Sequence, residues 1–68
     1  MCGIIGYYGQ HPALEILIDG LKKLEYRGYD SSGLCLVEDN KLVCYKQAGP
    51  VAYLEKSVAH QDLKGHIG

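Results

Sequence analysis

The chain has 68 residues and a formal net charge of −1, with three cysteines at positions 2, 35 and 44. Lysine and arginine are spread along it, so no basic patch argues for nucleic acid, and no apolar run reaches the ~18 residues of a membrane span. The Met1–Gly6 start lacks the charged region of a signal peptide, so a soluble cytoplasmic protein is the expectation.

An odd cysteine count without a leader argues against a secreted disulfide framework. His11, His60 and His66 are far apart and no Cys-x-x-Cys occurs, so no zinc or other metal site is expected. The histidines read as exposed or helix-end residues. A chain of this length buries only about 60% of its unfolded surface, which makes its stability marginal.

Cys2 stands directly behind Met1. In that context its nitrogen is an amide and has no basicity. Removal of Met1, generally favoured by a small second residue, turns it into a free amine on the same residue as a thiol. The thiol titrates near ~8.5 and the amine near ~7.7–8.0. Nucleophile and base would then share one residue. Position alone also fits a small buried hydrophobe.

Cys2–Tyr8 reads as a strand through Ile4, Ile5, Tyr7 and Tyr8. Gly3, Gly6 and Gly9 interrupt it, which fits either a close backbone approach or a merely weakened strand. Pro12–Glu25 reads as a helix, with Pro12 in the first turn where its missing N–H costs nothing. At 100° per residue, Ala13, Leu14, Leu17, Ile18, Leu21 and Leu24 share one arc. Ile16 lies off that stripe. Glu15, Asp19, Lys22 and Lys23 fall opposite, and Asp19–Lys23 is an i,i+4 pair of favourable order.

Tyr26–Gly33 follows as a loop that sets Arg27 between two tyrosines. Gly28 is placed to close the helix in a left-handed conformation, and Asp30, Ser31 and Ser32 are turn formers. Leu34–Val37 and Leu42–Tyr45 then read as a hairpin with Asp39-Asn40 at its tip. A two-residue loop sets Glu38 opposite Lys41 and Cys35 opposite Cys44. That separation lies at the lower edge of disulfide geometry, but in a reducing cytoplasm two buried thiols are the expected state. Pro50–Ala59 reads as a second helix, with Val51, Leu54 and Val58 on one side. The remaining residues, up to Gly68, are polar until Ile67.

Two stretches carry a resemblance. Met1-Cys2-Gly3-Ile4-Ile5-Gly6 resembles the start of class II glutamine amidotransferases, which are N-terminal nucleophile hydrolases. Leu24-Glu25-Tyr26-Arg27-Gly28-Tyr29-Asp30-Ser31-Ser32-Gly33 is similar to the narrower signature of the glutamine–fructose-6-phosphate aminotransferase (isomerizing) family. The implied fold class is α+β: an incomplete portion of a four-layer αββα glutaminase domain, made of a strand, a helix, a hairpin and a helix. Residues 1–68 would be its N-terminal part, without sugar-isomerase domains.

The resemblance implies that Cys2 is the catalytic nucleophile toward the side-chain amide of glutamine and that its own α-amine is the base. Arg27 matches a family arginine near the nucleophile; its guanidinium fork suits a carboxylate or backbone carbonyls, so it is either a substrate-binding residue or a loop anchor. The implied partners are glutamine and, in the complete enzyme, fructose 6-phosphate and further copies of the chain. No cofactor is implied. The family's His-Thr-Arg-Trp carboxylate clamp, its Asn-Gly oxyanion hole and its amine-binding aspartate have no counterpart here. Oxyanion donors alone are worth about two to three orders of magnitude in rate, so the 68 residues by themselves are expected to be inactive. A non-catalytic interaction module and a different class II amidotransferase are the alternatives.

Overall fold

The computed structural model describes residues 3–25 and 31–68. Its elements are α1 (Ala13–Leu24), β1 (Ser31–Glu38), β2 (Lys41–Ala48) and α2 (Val51–Val58), with β1 and β2 paired antiparallel. The expected α+β class holds.

The hairpin follows from its tip. Asp39 and Asn40 have φ of 51° and 64°, the left-handed pair of a two-residue type I′ turn, which short polar side chains tolerate. That loop sets Glu38 opposite Lys41, Leu36 opposite Val43, Cys35 opposite Cys44 and Leu34 opposite Tyr45. The strands are longer than the sequence suggests. Ser31, Ser32 and Gly33, expected in a turn, extend β1 by pairing with Ala48, Gln47 and Lys46. Cross-strand pairing overrides their local turn preference here.

The period-two alternation then divides the sheet into two faces. Leu34 and Leu36 point inward and are buried. They meet Ala13, Leu17, Ile18 and Leu21 of α1 and Val51 and Leu54 of α2, with Ile5, Tyr7, Leu14, Tyr45 and Leu63 packed around them. The leucine stripe of α1 is thus core, except that Leu24 at its end is exposed. Val58 is buried as well, so α2 turns its expected face inward.

Because Leu34 and Leu36 face in, Cys35 must face out. Cys35 and Cys44 are both exposed and are joined in a disulfide, with Cα atoms 4.0 Å apart. The expectation of two buried thiols is therefore overturned. The register that brings the two together also puts both on the outer face.

The expected N-terminal strand is not formed over residues 3–8. Only Tyr8 makes a β-bridge, to Ile67. Backbone hydrogen bonds run from Tyr7 N to Gly68 O (2.8 Å), from Gly68 N to Tyr7 O (2.9 Å) and from Gly9 N to His66 O (3.2 Å). The ladder is confined to 7–9 and 66–68, and the glycines on either side add no side chain to extend it. On its other side the 66–68 segment meets β1, where Val37 N donates to Ile67 O at 3.1 Å. The polar tail is thus an intermediate layer between the N-terminal segment and the hairpin.

That layer needs close backbone approach. A Cβ on Gly65 would overlap the Val37 carbonyl oxygen, and one on Gly68 would lie 2.8 Å from the Cys35 carbonyl oxygen. The Glu38 carboxylate fixes the same stretch by accepting from Lys64 N (3.2 Å) and Gly65 N. Gly65→Ala is expected to destabilise the chain by about 1–3 kcal/mol, the usual cost of overpacking where backbone is the obstacle. Chemical denaturation of Gly65→Ala beside the unaltered chain measures it.

Helix α1 ends earlier than Gly28. Glu25 already takes an extended conformation, φ −82° and ψ 111°, and Gly28 lies outside the described residues. The expected Asp19–Lys23 pair is replaced by a tie between helices, Lys22 Nζ to Glu55 Oε1 at 2.8 Å. Its hydrogen bond to Glu55 raises the Lys22 pKa above the ordinary 10.5. A raised lysine contributes stability below its ordinary pKa and loses it as pH climbs through the folded value. Both side chains are nearly half exposed, so water screens the pair. The unfolding midpoint is expected to stay flat in this contribution between pH 7 and 9, and Lys22→Met to shift it little at high salt.

Candidate functional site

Cys2 and Arg27, the two candidate site residues, both lie outside the described residues. What the fold fixes is the chain on either side of them.

Gly3 and Ile4 are exposed, Ile4 at 92%. Ile5 turns in against α1, where Gly20 leaves the space its side chain occupies. Tyr7 is held by the two bonds to Gly68. The segment behind Cys2 is therefore anchored from residue 5 onward, and its first residues stand clear of the core.

Glu25 and Ser31, the described residues on either side of 26–30, are each fixed to the fold. On one side, Glu25 Oε2 accepts a hydrogen bond from Val51 N at 3.0 Å. Val51 is fully buried and opens α2, whose N-cap is Pro50 and which has no acidic residue in its first turn. Glu25 thus supplies, from 26 residues away, the capping oxygen and negative charge that a helix N-terminus favours. On the other side, Ser31 pairs with Ala48 at the start of β1.

Sequence reasoning did not single out Glu25. A signal was there: an acidic side chain at the C-terminal end of a helix opposes the helix dipole, so its carboxylate is expected to be used elsewhere. Glu25→Ala should cost about 0.5–2 kcal/mol, the range for losing a helix cap. The amide of Val51 should lose hydrogen-exchange protection first, while Glu25→Gln, which keeps an acceptor oxygen, recovers part of it.

Ser32 Oγ is buried with no hydrogen-bond partner among the described residues. A buried hydroxyl without a partner costs about 1–3 kcal/mol, so Ser32→Ala should raise the unfolding midpoint.

The outer face of the sheet has a different character. Tyr8 is 84% exposed and Leu42 69% exposed, and Ile4 and Ile67 are also exposed. The bridge partners Tyr8 and Ile67 share this side with the Cys35–Cys44 bond and the Val37–Leu42 pair. It is an apolar surface on the side away from both helices. Among the described residues no helix is long and apolar enough to cross a membrane.

Neither a family model nor a solved structure matches the chain. Curated relatives do, along its full length. It is 52% identical over 68 residues to a glutamine–fructose-6-phosphate aminotransferase (isomerizing) of Clostridium perfringens. It is 54% identical over 69 residues to the enzyme of that name in Bacteroides thetaiotaomicron, and 50% identical over 68 residues to the one in Methanocaldococcus jannaschii. In each case all of the chain is matched, but it spans only 11%, 11% and 6% of these relatives. Identity of about half over the whole of its length places the chain in the glutamine–fructose-6-phosphate aminotransferase (isomerizing) family.

Proposed function

We propose that this chain is the nucleophile-bearing part of a class II glutamine amidotransferase domain, serving an enzyme that forms glucosamine 6-phosphate from glutamine and fructose 6-phosphate. The observation that carries this is the end-to-end identity with relatives of that name, joined to a cysteine at position 2.

In this reading Met1 is removed and the freed amine of Cys2 takes the thiol proton. The thiolate attacks the side-chain carbonyl carbon of glutamine. The tetrahedral adduct collapses to a thioester as the protonated amine gives its proton to the departing ammonia. Water attacks the thioester, glutamate leaves and the thiol is restored. Two titrating groups on one residue make the base available at neutral pH without a distant histidine. Arg27 holds the carboxylate of glutamine or the loop that contacts it. The reaction needs donors for the developing oxyanion, and these come from outside the 68 residues, which on their own turn over no glutamine at an appreciable rate. The protein acts in the cytoplasm, and the complete enzyme is an oligomer.

The apolar outer face supports the reading, because a sheet face bearing Tyr8, Ile67 and Leu42 calls for cover by further structure. The test joins this chain to the remainder of the Clostridium perfringens relative in place of its matching 68 residues. Intact-mass analysis should find Met1 absent, and a glutamine-like electrophile should alkylate Cys2 alone. Retention of Met1 in the joined protein removes the base and with it the mechanism.

A further inference from the structure

Gly20 lies inside α1, where glycine weakens a helix relative to alanine. Among the described residues the only glycine with positive φ is Gly49, so the backbone at position 20 does not call for glycine. What the position requires is space. A Cβ on Gly20 would overlap Ile5 Cδ1 and lie 3.2 Å from Ile5 Cγ1. Ile16, one turn earlier on the same flank of α1, is half-buried as well. Ile5 is the first described residue packed against the core, and Gly3 and Ile4 before it are exposed. The two hydrogen bonds between Tyr7 and Gly68 follow two residues later. Three residues span at most about 11 Å, so Ile5 is the described anchor nearest in sequence to Cys2.

We propose that Gly20 and Ile5 are positioning residues for the nucleophile: the absent side chain of Gly20 seats Ile5 on α1 and so sets where the chain leading to Cys2 leaves the core. This rests on the reading of Cys2 given above. The obstacle that a Cβ would meet is the far end of the Ile5 side chain and not backbone. Filling the space therefore displaces Ile5 rather than distorting the helix, and α1 itself gains from alanine at this position. The gap at Gly20 is explained by Ile5 and by nothing within α1. A reacting group misplaced by about 1 Å loses up to about two orders of magnitude in rate. The expected signature of a filled gap is thus a loss in kcat, with KM for glutamine held and the helix intact.

The test uses this chain joined to the remainder of its Clostridium perfringens relative. Gly20→Ala should lower kcat for glutamate release by about tenfold or more, with KM for glutamine within about twofold and helical circular dichroism retained. Ile5→Val removes Cδ1, the atom that the new Cβ would overlap. The double variant Gly20→Ala with Ile5→Val should therefore recover most of the loss, a coupling that independent sites do not show. Amide exchange at Tyr7 and Gly9, whose N–H groups donate to Gly68 and His66, should quicken by about tenfold in Gly20→Ala and slow again in the double variant. Unchanged kcat in Gly20→Ala, a loss that Ile5→Val does not restore, or a loss that comes with loss of helix would each overturn the positioning role. The exchange measurement does not depend on the chemistry. If the unaltered joined protein releases no glutamate, the reading of Cys2 fails and the positioning role with it. Equal exchange at Tyr7 and Gly9 with and without Gly20→Ala overturns the seating of Ile5 itself.

Discussion

Replacing Cys2 by serine, in this chain joined to the remainder of its Clostridium perfringens relative, should lower glutamine hydrolysis by about three orders of magnitude or more, the scale on which removal of a nucleophile acts. Serine keeps the size and the α-amine but loses the acidity. A thiol near ~8.5 yields a usable fraction of thiolate at neutral pH, whereas a hydroxyl yields almost none. A second variant separates the two roles of the residue. Inserting one alanine between Met1 and Cys2 keeps the thiol but moves the free amine to another residue after processing. If the shared-residue base is right, turnover falls nearly as far as with serine. Steady-state glutamate release reads both, and circular dichroism checks that neither variant has unfolded.

Leu36→Ala should unfold the 68-residue chain at room temperature. Leu36 is fully buried and sits where β1 meets both helices, in one cluster with Leu17, Leu21 and Leu54. Truncating a buried leucine to alanine costs about 2–5 kcal/mol through lost burial and the cavity left behind. Domains of this size rarely hold more than about 3–5 kcal/mol in total. A loss in that range therefore removes most or all of the folding free energy. Leu42→Ala, one strand over but on the exposed outer face, should leave the thermal midpoint within a few degrees. The contrast between the two separates burial from side-chain size.

The parts of the fold that local pattern determines were legible in the sequence. The stripe from Ala13 to Leu21 placed α1, Pro50 opened α2, and Asp39-Asn40 fixed the hairpin register down to the Cys35–Cys44 pair. What was misread depends on partners distant in sequence. Residues 3–8 have the composition of a strand, yet they pair only as far as the 66–68 segment provides a ladder. Glu38 stands opposite Lys41 in register as the two-residue loop implies, while the further contact of its carboxylate with the amides of Lys64 and Gly65 is one no local pattern encodes. Close backbone approach occurs at Gly65 and Gly68, whereas a Cβ on Gly6 would lie at an ordinary 3.7 Å from the Gly68 carbonyl oxygen.

The candidate site was legible as motif and not as geometry. Cys2 and Arg27 came from the two stretches that mark the family, and both lie outside the described residues. Glu25, the last described residue before the Arg27 stretch, is harder to see. Its role lies in a bond to Val51, 26 positions on, and no local pattern encodes that pairing. The outward disulfide was misjudged for a simpler reason. The alternation that buries Leu34 and Leu36 already turns Cys35, and Cys44 opposite it, to the surface.

The most direct test of the family's chemistry in this chain is glutamate release by the Clostridium perfringens relative carrying these residues in place of its matching 68. The account predicts glutamine hydrolysis within about tenfold of the unaltered relative, abolished by Cys2→Ser. A folded, processed protein that releases no glutamate, or one whose hydrolysis survives Cys2→Ser, would contradict it.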